Sequence, residues 1–359
     1  MKVALHAGQL LQPVPGGIGR YARAMMRHLP AAGVDLTAFA AGARPSGLPA
    51  TVPYVDLGWP RGSLRYEAWH RLGRPRLKIK ADVVHAPSLA IPPVRDRPFV
   101  VTVHDIAFVR LPRATTRRGV AFHHRGLQLA REHAQLVIAP SLFTRDELLL
   151  EGFEAEKLRI APLGCDPPDP IPDPIVDKLV ELVGVRAPYV LSVGTVEPRK
   201  DLGVAVDAVS RLRTTRDLTL VIVGPPGWGD VGGLDRPGVR RLGPVRWEIL
   251  DSLYRRARAC VLPSTYEGFG LPAAEALARG CPVVASGGGA MAEIVGDAGI
   301  LCPAGDVEAF SGALGRILDD DALRDDLARR GPLRASLFSW SSSAAHHAAV
   351  YREAREGFG

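Results

Sequence analysis

The sequence is short of aromatic residues and cysteine, and it has no long apolar run. Of its 359 residues only 6% are Phe, Trp or Tyr, and four are cysteine. Cys165, Cys260, Cys281 and Cys302 have no CxxC spacing, and three sit in apolar surroundings. No cysteine metal site is expected, and the four are read as reduced core or loop thiols of a cytosolic protein. No apolar run reaches the roughly 18 residues of a membrane span. The N-terminal Met1–His6 enters a strand pattern at once, without the apolar core and cleavage site of a secretory leader. An aspartate pattern with metal-site spacing occurs once, Asp319-Asp320-Asp321. It falls in an acidic helical stretch, 316–330, where Asp is expected as a helix start, and no metal is expected there.

What is present is a globular chain long enough for two domains. Short apolar runs alternate with amphipathic stretches, twice over. The runs are Val3–Ala7, Val34–Ala40, Val83–Ala86, Phe99–Asp105 and Leu136–Ser141, then Tyr189–Gly194, Leu218–Gly224, Arg240–Val245, Ala259–Ser264, Val283–Ser286 and Ile300–Cys302. This alternation predicts an α/β protein with two doubly wound, Rossmann-like parallel sheets. Five prolines between Cys165 and Pro174, with Asp169 among them, predict an extended linker. The expected division is a domain at 1–165, a linker at 166–188, a domain at 189–338 and a C-terminal helix at 339–359, which crosses back to the first domain.

Charge is uneven. The chain carries a formal net charge of +7, yet residues 1–165 hold 23 Lys and Arg against 12 Asp and Glu. A basic half suits an anionic partner: nucleic acid, phospholipid or a pyrophosphate-linked substrate. Residues 61–80 carry seven cations with Tyr66 and Trp69 interleaved. A second basic stretch holds Arg110, Arg113, Arg117, Arg118 and Arg125. Docking on an anionic membrane surface, nucleic-acid binding and a plain solvated helix all remain open for this composition.

The most specific segment is Pro263-Ser264-Thr265-Tyr266-Glu267-Gly268-Phe269-Gly270-Leu271-Pro272-Ala273-Ala274-Glu275-Ala276-Leu277-Ala278-Arg279-Gly280. It follows an apolar strand and opens a helix, with Pro272 suited to the first helical position and Gly280 to the stop. Glu267 then lies in the strand-to-helix loop and Glu275 in the helix's first turns. Gly268 and Gly270 let backbone amides approach a ligand, and a helix N-terminus favours phosphate or hydroxyl oxygens. Each carboxylate can accept two hydroxyl hydrogens, so the pair suits one diol on a ribose and one on a hexose. In Gly194-Thr195-Val196-Glu197-Pro198-Arg199-Lys200, two cations after a strand suit a pyrophosphate clamp.

The glutamate pair with seven residues between resembles the signature of retaining glycosyltransferases of the GT-B fold, glycosyltransferase family 4. The resemblance implies two Rossmann-like domains facing a cleft. It implies that Glu267 contacts hydroxyls of the donor sugar, that Glu275 holds the ribose, and that the amides of Gly268, Phe269, Gly270 and Leu271 line the sugar and phosphate site. Lys200 keeps the family's spacing from Gly194. Thr195 stands where many members have arginine, so Arg199 is expected as the second cation. The wording Gly-Thr-Val-Glu-Pro-Arg-Lys is similar to the mannosyltransferase B-like subgroup and favours GDP-mannose as donor.

Four further segments are read beside that resemblance. Pro13-Val14-Pro15-Gly16-Gly17-Ile18-Gly19 follows the first strand but lacks the dinucleotide spacing. The resemblance implies that this loop, with Gly16 and Gly17, faces the donor phosphate and the acceptor path. His104 ends the fourth strand and points to the ligand edge or bonds a local carbonyl. The resemblance implies a place beside the donor sugar, with Asp105 as orienting neighbour, while His123 and His124 are read as structural. Leu242-Gly243-Pro244-Val245 is similar to the loop that holds the nucleotide base, through Gly243 and Val245. Ser286–Glu293 is a turn or packs near the nucleotide.

The expected reaction is hexose transfer with retention, without metal or other cofactor. His104, Arg199, Lys200 and Glu267 are the expected catalytic residues. The expected acceptor is a glycan or a polyprenyl-pyrophosphate-linked glycan, reached from the cytoplasmic face of a membrane. A UDP- or dTDP-sugar donor, a GT-B epimerase and a nucleic-acid or lipid-binding protein are the competing readings. Nucleic acid leaves the Glu267–Glu275 platform without a role. Reversing the charges of Arg74, Arg76, Lys78 and Lys80 is expected to abolish binding to anionic liposomes; full binding by that variant would remove the membrane surface from the reading.

Overall fold

A computed structural model describes residues 1–112, 116–168, 170–229 and 231–358, with the side chain of Arg117 also undescribed. Arg113 and Asp169, named above in the basic and proline-rich stretches, lie outside the described residues. The chain forms two compact units, Met1–Gly164 with Trp340–Gly359, and Cys165–Ser339.

Unit 1 is built on strands β1 (Lys2–His6), β2 (Asp35–Ala40), β3 (Tyr54–Asp56), β4 (Val83–Ala86), β5 (Phe99–Thr102), β6 (Leu136–Ala139) and β7 (Leu158–Ile160). They pair in the order β3-β2-β1-β4-β5-β6-β7, all parallel. Its helices are α1 (Gly16–His28), α2 (Gly62–Leu72), α3 (Ala107–Arg110), α4 (Arg117–His133) and α5 (Leu142–Leu150). Unit 2 has α6 (Asp173–Leu182), β8 (Tyr189–Val193), α7 (Leu202–Leu212), β9 (Thr219–Val223), β10 (Val239–Gly243), α8 (Trp247–Arg256), β11 (Ala259–Leu262), α9 (Leu271–Ala278), β12 (Val283–Ser286), α10 (Met291–Val295), β13 (Gly299–Cys302), α11 (Val307–Asp319) and α12 (Asp321–Ala335). Its strands pair in the order β10-β9-β8-β11-β12-β13, again all parallel. α13 (Trp340–Glu356) closes the chain within unit 1.

The central strands are buried on both faces, which is why they read as unbroken apolar runs rather than alternating ones. β3 and β7 gave no such run: each is three residues long and mostly half-exposed at a sheet edge. The proline-rich stretch is not extended throughout. Pro174 sits in the first turn of α6, where a missing amide donor costs nothing, and the helix is tied to α8 by Arg256 to Asp177 at 2.6 Å. The three aspartates divide two helices. Asp319 ends α11, and Asp320 caps α12 by accepting from the Leu323 amide at 2.9 Å. The four cysteines are buried thiols.

α13 is held to unit 1 by a buried chain of hydrogen bonds whose direction can be deduced. The Ser343 carbonyl can only accept, so His347 carries its proton on Nδ1 (2.7 Å), and its Nε2 is an acceptor. Tyr21 on α1 therefore donates to His347 Nε2 at 2.7 Å and accepts from Thr102 Oγ1 at 2.8 Å. Thr102 in turn accepts from His85 Nε2 at 2.8 Å, leaving His85 Nδ1 to accept from Tyr351 at 2.7 Å. Every proton in the chain follows from one carbonyl.

Burial keeps both imidazoles neutral, holding His347 at about 4 and His85 well below its usual range. The unfolded chain takes up protons at these rings near pH ~6.5. The folded unit does not take one up at His347 until about 4. Their contribution to stability is thus complete above about pH 6.5 and declines as pH falls toward 4. Hydrogen-exchange protection of α13 amides should be lower at about pH 5 than at about pH 7. Equal protection at both would contradict the neutral chain.

Candidate active site at the carboxyl edge of the second sheet

In unit 2 the chain order reverses between neighbouring β8 and β11. Loops leaving the carboxyl ends of two such strands diverge and open a crevice, the usual ligand position in an open α/β sheet. The β8 loop carries Glu197 in extended conformation, then Arg199 and Lys200 in a 3-10 turn, Pro198–Lys200, before α7. Its exit passes through Asp201 at φ 46°, a left-handed conformation that aspartate tolerates better than most residues. The β11 loop carries Glu267 and leads into α9.

Two contacts to backbone carbonyls stitch these loops together. The Thr265 amide donates to the Arg199 carbonyl at 2.9 Å, and Arg199 Nη1 donates to the Tyr266 carbonyl at 2.8 Å. Four charged side chains then converge. Glu267 Oε2 pairs with Arg199 Nη1 at 3.0 Å and Oε1 with Lys200 Nζ at 2.5 Å. Arg199 Nη2 also pairs with Glu197 Oε1 at 2.7 Å. Burial alone would raise the Glu267 carboxyl. The charges of Lys200 and Arg199, with hydrogen bonds from Lys200 and Ser264, outweigh it and hold the group at about 2. Both its oxygens are engaged, so as it stands it is a poor base and a poor nucleophile.

The glycines of the two loops have separate reasons. Gly270 caps α9 at φ 97°, and a Cβ there would lie 2.7 Å from Met291 Sδ. Gly289, in the loop after β12, has φ 65° and its Cβ would lie 2.5 Å from the Glu267 carbonyl oxygen. The 286–293 segment thus braces the Glu267 backbone, with the Ala290 amide donating to the Glu267 carbonyl at 2.8 Å. Pro272 occupies the second helical position rather than the first, because Leu271 already has helical geometry. Gly268, Phe269, Gly270 and Leu271 are buried around the start of α9, and the Phe269 ring packs edge-on against Phe338 at 5.6 Å. Glu275, 3% exposed, accepts from the Tyr254 hydroxyl at 3.2 Å. Gly243 ends β10, and its carbonyl accepts from the Gly224 amide at 3.0 Å, with Val245 half-buried beyond it.

The structure gathers Arg199, Lys200, Glu267, Glu275 and the Gly268–Leu271 segment around β11 and its neighbour. Gly16, Gly17 and His104 belong to unit 1. The glycine-rich segment is helical from Gly16 onward, so Gly16 and Gly17 are exposed first-turn residues rather than a free loop. His104 Nε2 donates to the Pro87 carbonyl at 3.0 Å, and the ring meets Tyr21 edge-on at 4.7 Å. Burial lowers it to about 4 against the opposing effects of that hydrogen bond and Asp105. It is neutral, and Nδ1 carries the lone pair. Among the described residues no group of three or more metal-ligating side chains occurs, and no helix is long and apolar enough to cross a membrane.

One expectation for unit 1 needs correction. Tyr66 and Trp69 are not membrane-facing: α2 turns Trp69 and Arg65 inward at 3% exposure each, and Tyr66 packs against His6. A half-apolar helix buries its large side chains against the sheet when it can. Leu64, Arg71 and Leu72 of α2 are exposed, as are Trp59 before it and Arg74, Arg76, Lys78 and Lys80 after it.

Sequence reasoning missed Glu197, Tyr254 and the pair Asp251–Arg279. Glu197 was legible only as a charge beside two cations. Arg279 Nε meets Asp251 Oδ1 at 2.8 Å, both side chains fully buried, and Arg279 also donates to the Asp166 carbonyl at 2.9 Å. It stacks over Trp247 at 4.9 Å. The pair fixes the end of the helix that carries Glu275.

Two parallel, Rossmann-like sheets with a crevice at the reversal point of the second define a protein of the GT-B fold. Sequence models for Glycosyltransferase Family 4 and for Glycosyl transferases group 1 match residues 15–168 and 187–320. O-antigen chain mannosyltransferase B of Escherichia coli is 33% identical over 79% of this chain and 78% of its own length. MMP alpha-(1->4)-mannosyltransferase of Mycolicibacterium hassiacum is 31% identical over 72% of this chain and 66% of its own length. Among solved structures, HepE of Anabaena in complex with UDP and glucose superposes with a TM-score of 0.76 at 21% identity, covering 98% of this chain and 100% of that one. The chain belongs to glycosyltransferase family 4.

Asp251→Ala leaves the Arg279 charge buried and unpaired. It should destabilise unit 2 by about 3–5 kcal/mol in urea unfolding, whereas replacing both residues with apolar ones of similar volume should recover much of that loss. A single replacement within error of wild type would show the pair to be dispensable.

Proposed function

We propose that this glycosyltransferase moves mannose from GDP-mannose, with retention, to a glycan or polyprenyl-pyrophosphate-linked acceptor. The observation that carries the reading is the Glu267–Arg199–Lys200 cluster beside Glu275 at the crevice between β8 and β11. The similarity to two mannosyltransferases supports the sugar. UDP remains the second reading, because HepE, of the same fold, binds UDP and glucose.

In this reading the free site is an ion pair waiting to be exchanged. The donor's diphosphate takes over Arg199 and Lys200, and Glu267 is released to accept hydroxyl hydrogens of the hexose. Glu275 holds the ribose diol, and the backbone of Gly243 and Val245 meets the base. Gly268–Leu271 amides at the start of α9 meet sugar and phosphate oxygens. As the bond from the anomeric carbon to phosphate breaks, the two cations stabilise the departing negative charge. The acceptor oxygen bonds to the anomeric carbon on the same face, and its proton passes to a phosphate oxygen.

A covalent route through Glu267 is the competing mechanism, and it ranks lower because in this reading the released carboxylate is occupied by hydroxyls of the hexose. No step needs a metal, since Arg199 and Lys200 supply the positive charge. In unit 1, the neutral His104 offers Nδ1 as an acceptor for a sugar hydroxyl, not as an acid. Gly16 and Gly17 at the exposed start of α1 suit an oxygen-rich ligand such as the acceptor. The exposed cations between Arg71 and Lys80, beside Trp59, Leu64 and Leu72, support a peripheral place on an anionic membrane.

The deciding experiment is thermal stabilisation by GDP, UDP, dTDP and ADP without metal, on wild type and Glu275→Ala. A ligand at about a hundred times its dissociation constant stabilises by roughly 2.7 kcal/mol. GDP is expected to give the shift, and Glu275→Ala to lose it. A UDP shift instead would overturn the donor, and no shift with any nucleotide would overturn the enzyme site. A product formed from nucleotide sugar alone would favour an epimerase.

A further inference from the structure

Helices α8 and α9 are joined by two side-chain contacts. Asp251 and Tyr254 are one turn apart on α8, so they share a face. Glu275 on α9 and Arg279 at its end are likewise one turn apart. The Tyr254 hydroxyl donates to Glu275 Oε2 at 3.2 Å, and Arg279 Nε donates to Asp251 Oδ1 at 2.8 Å. All four residues are buried.

The two contacts fix different things. The Asp251–Arg279 pair holds the end of α9, and Arg279 Nη1 also donates to the Glu275 carbonyl at 3.4 Å. It therefore fixes the backbone from which the Glu275 side chain leaves. A fixed backbone does not fix a carboxylate, because several rotatable bonds lie between. The Tyr254 phenol acts on the carboxylate itself. Its ring is rigid and fully buried in α8, and it addresses one oxygen, Oε2.

This contact differs in kind from those of Glu267. Glu267 is held by the cations of Arg199 and Lys200, which an incoming diphosphate can draw off. Tyr254 is neutral and offers a diphosphate no charge to draw off. It also leaves the negative charge of Glu275 uncompensated by a counter-charge, available to hydroxyl donors. An ionised carboxylate has about four acceptor sites, so one bond from the phenol is compatible with a fork of two hydroxyls. A carboxylate oriented beforehand spares the ligand the entropy of ordering it.

We propose that Tyr254 is a positioning residue: its hydroxyl holds the Glu275 carboxylate in the orientation that receives both hydroxyls of a ribose. It thereby sets how sharply the site discriminates a ribonucleotide from a deoxyribonucleotide. The proposal rests on the reading of Glu275 as the partner of the ribose.

GDP and UDP, each with its 2′-deoxy and 3′-deoxy forms, are titrated by calorimetry into the full chain as wild type, Tyr254→Phe and Glu275→Ala. Wild type is expected to bind a ribonucleotide at least about tenfold more tightly than either deoxy form. Glu275→Ala should bind all three forms weakly and alike. Tyr254→Phe, which removes one oxygen and keeps the ring, should lose about tenfold for the ribonucleotide and little for the deoxy forms, so that the ratio falls toward one. A role in packing alone would weaken all three forms by the same factor and leave the ratio as in wild type. The proposal is overturned if Tyr254→Phe keeps the wild-type ratio while Glu275→Ala loses it, and the ribose reading of Glu275 then stands. If wild type binds no ribonucleotide, does not discriminate, or discriminates no better than Glu275→Ala, the ribose reading falls and takes the proposal with it.

Discussion

The carboxylate of Glu267 between Lys200 and Arg199 is the interaction on which the rest of unit 2 is organised. A buried negative charge is tolerable only when it is paired and hydrogen-bonded, and here the partners come from a different loop. That demand brings together the carboxyl ends of β8 and β11, which are already neighbours at the sheet's reversal point. The backbone bond from the Thr265 amide to the Arg199 carbonyl ties the two loops independently of the charged groups, and the Arg199 guanidinium adds a bond to the Tyr266 carbonyl. Glu197 pairs with the other side of Arg199. The four formal charges sum to zero, so the cluster is internally compensated.

Much of this was legible in the chain. The buried strands of both units appear as apolar runs because a parallel sheet covers both faces. The glutamate pair, its glycines and the following helix stand out because their spacing joins a loop to a helix start. Edge strands β3 and β7 were not legible, since three half-exposed residues carry no periodic signal. Nor was the inward turn of α2. Its cations and aromatics alternate along the sequence, and only the sheet beneath decides which side is covered. Arg65, formally one of seven cations in a basic stretch, proves to be a bracket for three carbonyls.

The buried polar residues follow a different logic from the apolar core. His85, Thr102, Tyr21 and His347 could each have been replaced by hydrophobic residues of similar size without leaving a gap. Instead they form a single directed file in which each donor has one acceptor. Such a file is intolerant of substitution in the middle, because a missing link orphans a group on either side. It therefore specifies how α13 is seated, by rotation and by register, more sharply than apolar packing alone would.

α13 also sets an order of events during synthesis. Unit 2 is a continuous stretch of chain and can close as soon as its last helix has left the ribosome. Unit 1 cannot. Its first 164 residues emerge early, but Tyr21 lacks His347 and His85 lacks Tyr351 until α13 follows. The half of the protein that is made first is thus completed last, and until then it exposes the groove that the final helix will fill.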